Sequence, residues 1–252
     1  MSFKGKTAFL TGAASGMSLL MSRCLIADGA NVAMCDIDKA ALDEKVAELN
    51  AMGPGRAIGL IVDVRDYQSI CAGRDAAVEA FGSIDILVNF AGGAETRIRG
   101  TGGARYFHEI PIEVYDWGLD VNLKGQFYCD HAIMKQMAAQ KSGVIINIGS
   151  ITGHEGSPTA VAYSTSKSAA MHGLTKSVAQ AGAPFNVRCN CVAPGPVLTR
   201  EAMANMKTMM GRAADPQEII DMVLFLASDK SAFTTGVNFL IDGGRVINLD
   251  RT

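Results

Sequence analysis

Seven short apolar runs, at residues 7–10, 32–35, 57–62, 84–88, 144–148, 187–192 and 237–241, lack the strict alternation of a strand with one wet face. Such runs suit strands covered on both sides. Helix-length segments separate most of them, for example 40–52, 69–81, 114–140 and 162–181. Strands alternating with crossover helices predict an α/β fold, a doubly wound parallel sheet of about seven strands with helices on both faces. No repeat, low-complexity tract or Ser/Pro-rich linker divides the 252 residues, and 48% hydrophobic content supplies one sizeable core. Residues 1–252 are therefore expected to form a single domain. Two stretches break the alternation, the Gly/Arg-rich 92–110 and the Met-rich 194–212, and both follow strands at the edge where open α/β sheets bind ligands.

The first strand runs into Thr11-Gly-Ala-Ala-Ser-Gly-Met-Ser18 and then into a helix-like segment. Glycines at a strand-to-helix turn suit a pyrophosphate: Gly12 can adopt turn conformations closed to other residues. Gly16 lets backbone N–H groups at the helix N-terminus approach the ligand, with Ser15 and Met17 beside it. Asp36 ends the second strand 24 residues after Gly12, near the offset at which an acid bonds the adenosine ribose hydroxyls. Its carboxylate would repel a 2′-phosphate, and Ala13, Ala14 and Ser15 offer no Arg to receive one. NAD is favoured over NADP, with Lys39 the one nearby cation that tempers this reading. A turn or helix-capping role is the structural alternative for Asp36.

Tyr163-Ser-Thr-Ser-Lys167 falls in a predicted helix, where residues four apart share a face. An adjacent ammonium favours phenolate and so fits the tyrosine for proton exchange. Of the five tyrosines only Tyr163 has a lysine four residues later, and Ser150 ends a strand at the same sheet edge.

At these residues the chain resembles the compact short-chain dehydrogenases/reductases, from Thr11-Gly12 to Asp242-Gly-Gly244. The shared markers run in order: the Gly-rich turn, Asp63-Val64, Asn89-Phe-Ala-Gly92, Val121-Asn-Leu-Lys-Gly125, Ser150, Tyr163 with Lys167, and Pro194-Gly195. The resemblance implies a Rossmann-like, single dinucleotide-binding and catalytic domain. Tyr163 would exchange the proton, Ser150 would hold the substrate oxygen, Lys167 would bind the nicotinamide ribose, and Asn122 would hold a water linking Lys167 to solvent. Asp63 and Val64 would contact adenine, Asn89, Ala91 and Gly92 would border the adenosine, and the segment from Pro194 and Gly195 would cover the nicotinamide. A homotetramer is also implied. Ser18 and Phe90 depart from the pattern, standing where a glycine and a second asparagine are usual.

The expected activity is interconversion of a secondary alcohol and a ketone with NAD(H). The alternatives are an NADP(H)-dependent 3-oxoacyl-type reductase and a catalytically silent nucleotide-binding regulator on the same scaffold. His154, four residues after Ser150, is a candidate substrate contact beside Ser150 and Tyr163. Met203, Met206, Met209 and Met210 could line a pocket under a lid, and Arg97, Arg99 and Arg105 could attract an anionic or polyhydroxylated substrate. Ser150 is not read as a hydrolase nucleophile, since Ile148 stands where a G-x-S-x-G elbow requires glycine. No His, Cys or acid spacing suggests a metal, and the six cysteines read as buried thiols. The formal charge of -2 and the lack of a basic stripe make nucleic acid and membrane surfaces poor partners. With neither a signal-like N-terminus nor a membrane-length apolar run, the sequence reads as that of a soluble cytoplasmic protein.

Overall fold

A computed structural model describes residues 2–98, 106–199 and 201–247. Seven parallel strands form one sheet: β1 (Thr7–Thr11), β2 (Asn31–Asp36), β3 (Arg56–Ile61), β4 (Ile86–Asn89), β5 (Gly143–Ile148), β6 (Val187–Pro194) and β7 (Asn238–Ile241). Their order is β3-β2-β1-β4-β5-β6-β7. The chain thus builds outward from β1 to one edge, returns to β4 beside β1, and builds outward to the other. That reversal opens a crevice at the carboxyl ends of β1 and β4, where connections leave in opposite directions.

Side chains alternate across each strand, so consecutive apolar residues feed two cores. Leu10, Met34, Val88 and Ile146 face one core with Met21, Leu25 and Val223. Their neighbours Phe9, Ala33, Leu87 and Ile145 face the other with Ile133 and Met137. Each fully buried aliphatic or aromatic side chain contributes roughly 1.5–3 kcal/mol, and continuous apolar runs are what such two-sided burial requires. The expectation of cover on both faces fails at the sheet edges. In β3, Ile61 is 52% exposed, and all four residues of β7 are only half-buried.

The helices are α1 (Gly16–Ala27), α2 (Lys39–Asn50), α3 (Tyr67–Phe81), α4 (Glu95–Ile98), α5 (Ile112–Leu119), α6 (Gly125–Gln140), α7 (Thr152–Glu155), α8 (Val161–Ala169), α9 (Thr175–Gly182) and α10 (Pro216–Ala227). Local chemistry starts several of them: Asp38 accepts from the Ala41 N–H, Asp66 from Gln68, and Asp215 with Glu218 closes a capping box before Pro216. The two longest expected helices, 114–140 and 162–181, are each interrupted by a π-turn, at Asp120–Lys124 and Ala170–Leu174. A π-turn inserts one residue and takes backbone groups out of the regular ladder, a distortion frequent at functional sites. Among the described residues no helix is long and apolar enough to cross a membrane.

Candidate active site

The glycine-rich turn lies where β1 meets α1. Gly12 and Gly16 have φ of +64° and +58°, in the left-handed region that favours glycine. A Cβ at Gly12 would stand 3.2 Å from the Ala91 backbone, whereas one at Gly16 would meet nothing within 4 Å. Gly12 therefore permits close packing of β1 against the β4 loop, and Gly16 faces open space at the start of α1. Ser15 is the N-cap of α1 and makes no side-chain bond to it. The turn is held by Thr11, whose hydroxyl accepts from the Ala91 N–H, and by Ser18, whose hydroxyl donates to the Thr11 carbonyl at 3.0 Å. That last bond explains why a serine is accommodated where close packing usually selects glycine.

Asp36 stands at the end of β2 facing this turn. One carboxylate oxygen accepts from the Ala14 N–H at 3.0 Å, and the other from Ile37 and Asp38. The turn-stabilising alternative considered for Asp36 is thus realised, and the residue also stands within reach of the glycine loop. Lys39 pairs with Asp43 one helical turn away. Asp63 is gripped by the Arg65 guanidinium, which holds its carboxyl below the usual range. Val64, beside it, is buried.

Tyr163 and Lys167 lie on one face of α8, and the Lys167 ammonium stands 5.5 Å from the centroid of the Tyr163 ring. Lys167 is buried and donates to the Ile148 carbonyl at 2.7 Å. Burial lowers its pKa to about 8, opposed by the nearby Cys191. Ser150, just after β5, is buried, and its hydroxyl lies 3.3 Å from that of Thr152. Asn122 is fully buried in the first π-turn. Its amide is spent on backbone: Oδ1 accepts from the Gly93 N–H, and Nδ2 donates to the carbonyls of Gly93 and Gly118. The water-holding role implied for Asn122 would thus fall to its backbone rather than its side chain.

A cavity of about 320 Å³ joins these parts, lined by Met17, Gly92, Ser150, Tyr163, Lys167, Pro194 and Gly195 among others. Met203 and Met206 reach it from the Met-rich segment, whereas Met209 and Met210 are exposed. Two expected contacts lie elsewhere. The Asn89 side chain turns toward α6, donating to Asp130 at 2.7 Å and to Asn147 at 2.8 Å, because strand alternation points it beneath the sheet. Only its backbone is left to border the crevice. His154 is exposed, meets the His172 ring edge-on and approaches Asn238, and does not line the cavity. Its place on the outer flank of the short helix α7 directs it away. Arg99 and Arg105, and the side chain of Arg97, lie outside the described residues.

The structure adds Phe90, Thr152, Ser157 and Thr199 to the cavity wall. Phe90 also packs on the core beneath the crevice, so the asparagine position is used here for apolar contact. Glu95 and Asp130 are buried acids that no sequence motif had marked. Among the described residues no group of three or more His, Cys, Asp or Glu could hold a metal ion.

A doubly wound parallel sheet with a glycine turn, an acid at the end of β2 and a Tyr/Lys/Ser cavity defines a dinucleotide-type oxidoreductase scaffold. The comparisons agree. The family described as enoyl-(acyl carrier protein) reductase matches residues 12–245. The chain is 41% identical over 250 residues to trans-4-hydroxycyclohexanecarboxylate dehydrogenase of Sinomonas cyclohexanicum, covering 95% of this chain and 92% of the relative. It is 36% identical to 3-alpha-(or 20-beta)-hydroxysteroid dehydrogenase of Mycobacterium bovis, covering 97% and 91%. Among solved structures, a 3-oxoacyl-[acyl-carrier protein] reductase with bound NAD from Brucella melitensis superposes with a TM-score of 0.86 at 32% identity, covering 96% and 92%. The chain belongs to the short-chain dehydrogenase/reductase family and is an oxidoreductase of hydroxyl and keto groups.

Proposed function

We propose that this protein interconverts a secondary alcohol and a ketone with NAD(H), using Tyr163 as general acid and base. The observation that carries this is the Lys167 ammonium over the Tyr163 ring in a cavity that Ser150 also lines. The ammonium favours the phenolate, which takes the alcohol proton during oxidation and returns it during reduction. The Ser150 hydroxyl donates to the substrate oxygen and fixes its place beside the phenol. Nicotinamide, when bound, gives or receives the hydride.

The residues present fit that cofactor. Gly12, Ser15, Gly16 and Met17 would hold the pyrophosphate and Asp36 the adenosine ribose. Asp63, Val64, Ala91, Gly92 and the Asn89 backbone would border the adenosine. Lys167 and Tyr163 would meet the nicotinamide ribose, with Pro194 and Gly195 against the ring. Engagement of Lys39 by Asp43 supports NAD over NADP, since it occupies a cation close to Asp36 in the chain.

The relatives named for cyclohexane and steroid alcohols, together with the Met203 and Met206 wall, support a cyclic secondary alcohol as substrate. The expected result is NADH production from a panel of such alcohols, with Tyr163→Phe silent in turnover and close to the parent in NADH affinity. Retained turnover in that variant would refute the role of Tyr163. We further propose a cytoplasmic homotetramer of single-domain chains, as the family likeness implies. An apolar flank formed by Phe127, Met134, Leu174 and Val178 supports self-association. A monomeric mass by light scattering would overturn that assembly.

A further inference from the structure

We infer that Glu95 is a positioning residue for Tyr163, a buried carboxylate that clamps the start of α8 and so sets where the phenol stands. This rests on the reading of Tyr163 above and deepens it. Glu95 opens α4, in the loop that follows β4, and is 1% exposed. One of its oxygens accepts from the Ala162 N–H at 2.8 Å and the other from the Tyr163 N–H at 3.1 Å. These are first-turn amides of α8, which the helix itself leaves without partners, and its N-cap Ala160 makes no side-chain bond to satisfy them. A carboxylate suits the place, since it only accepts and its charge opposes the positive end of the helix.

The surroundings make the clamp rigid. Asn122 holds Gly93, two residues before Glu95, through both the N–H and the carbonyl. Gly118 of α5 lets that helix close on the same spot: a Cβ there would stand 2.5 Å from Ala162 and 3.7 Å from Glu95. Loop, π-turn and α8 are thus fastened at one point, and the residue bearing the phenol is itself one of the two that Glu95 holds. A misplacement of about 1 Å in a reacting group can cost on the order of 100-fold in rate.

The test compares Glu95→Gln, which keeps one acceptor, with Glu95→Ala, which keeps none. In both, kcat for alcohol oxidation should fall, by roughly 10-fold in the first and roughly 100-fold in the second. NADH affinity should stay within about twofold of the parent, because the glycine turn and Asp36 are untouched, and the substrate KM should change less than kcat. The solvent deuterium isotope effect on kcat should rise as proton transfer becomes limiting, which a loss of folded enzyme would not produce. Amide exchange at Ala162 and Tyr163 should quicken in both variants, a readout independent of turnover. If exchange at these amides is unchanged, or kcat falls only in proportion to lost NADH-binding sites, the clamp is wrong. If exchange quickens while Tyr163→Phe still turns over, the clamp stands as a contact and the positioning role fails with the assignment of Tyr163.

Discussion

The Lys167 ammonium lies 5.5 Å from the centre of the Tyr163 ring while donating to the carbonyl of Ile148, the last residue of β5. One bond therefore ties the cation to the strand that delivers Ser150 two residues later. The arrangement explains why helix α8 must register with the end of β5 and cannot slide without separating the phenol from both partners.

Burial of that cation has a signature in stability. The Lys167 pKa is lowered from 10.5 to about 8 in the folded protein. Between these values the unfolded chain binds more protons than the folded one, so stability rises as pH climbs from about 8 toward 10.5. The gain is on the order of 3 kcal/mol for this group alone. Chemical denaturation of the cofactor-free protein across that range should show the rise, measured as the difference from Lys167→Met, which should lack it. Turnover of Lys167→Met should fall by on the order of 100-fold or more, with the cation that favours the Tyr163 phenolate lost.

Gly92 gives a test of the loop. Its φ is +145°, and a Cβ there would meet Asn122 Oδ1 at 2.5 Å and come within 3.7 Å of Lys167 Nζ. Gly92→Ala should therefore displace the Asn122 amide and loosen the Gly93 contacts, destabilising the protein by roughly 1–3 kcal/mol. Thermal unfolding should register this as a lower Tm, and NADH affinity should weaken along with it. A variant as stable as the parent would mean that the loop is not held as described.

Most of the fold was legible in the chain, for a physical reason. Two-sided burial demands uninterrupted apolar runs, so Leu10, Val88 and Ile146 announced their strands without tertiary information. Edge strands read the same way, because Ile61 looks like a core residue until its missing neighbour is known. The glycine turn and the Tyr163/Lys167 pair were legible since their partners lie close in sequence. Glu95 was not, as its partners are 67 and 68 residues away and a lone acid in a long loop looks like a solvated one. The Asn89 direction and the exposure of His154 depended on pleat phase and helix rotation, which a residue name does not carry.

Asp36 separates cofactor preference from loop support. Its contact with the Ala14 N–H holds the glycine turn, so Asp36→Ala should weaken NADH binding through two routes, a lost ribose partner and a looser turn. A charged hydrogen bond contributes about 1.5–3 kcal/mol, which corresponds to roughly 10-fold to 100-fold in affinity. NADPH binding should change less or improve, because repulsion of the 2′-phosphate is removed as the turn loosens. Fluorescence titration with both cofactors decides it. A parent protein that already prefers NADPH would contradict the role given to Asp36.

Arg245, in the turn after β7, ties together segments whose neighbouring residues line the cavity. Its guanidinium pairs with Glu155 of α7 at 3.0 Å and donates to the Lys207 carbonyl at 3.0 Å. Three segments meet there: helix α7, which follows Ser150, the Met-rich stretch that brings Met203 and Met206 to the cavity, and the turn after β7. Both side chains of the pair are less than 20% exposed, at 19% and 17%, so the bond is shielded from water more than a surface pair would be. Arg245→Ala should free the Met-rich stretch from α7 without touching Tyr163, Lys167 or the glycine turn. The expected outcome is a substrate KM raised several-fold, with kcat reduced less and NADH affinity preserved. Because Arg245→Lys keeps the charge but not the two-direction reach of the guanidinium, it should fall between parent and alanine. An unchanged KM in both would show that the stretch is held to the cavity by its own contacts, chiefly the Met210 N–H on the Gly243 carbonyl and the short β-bridge between Val197 and Ala214.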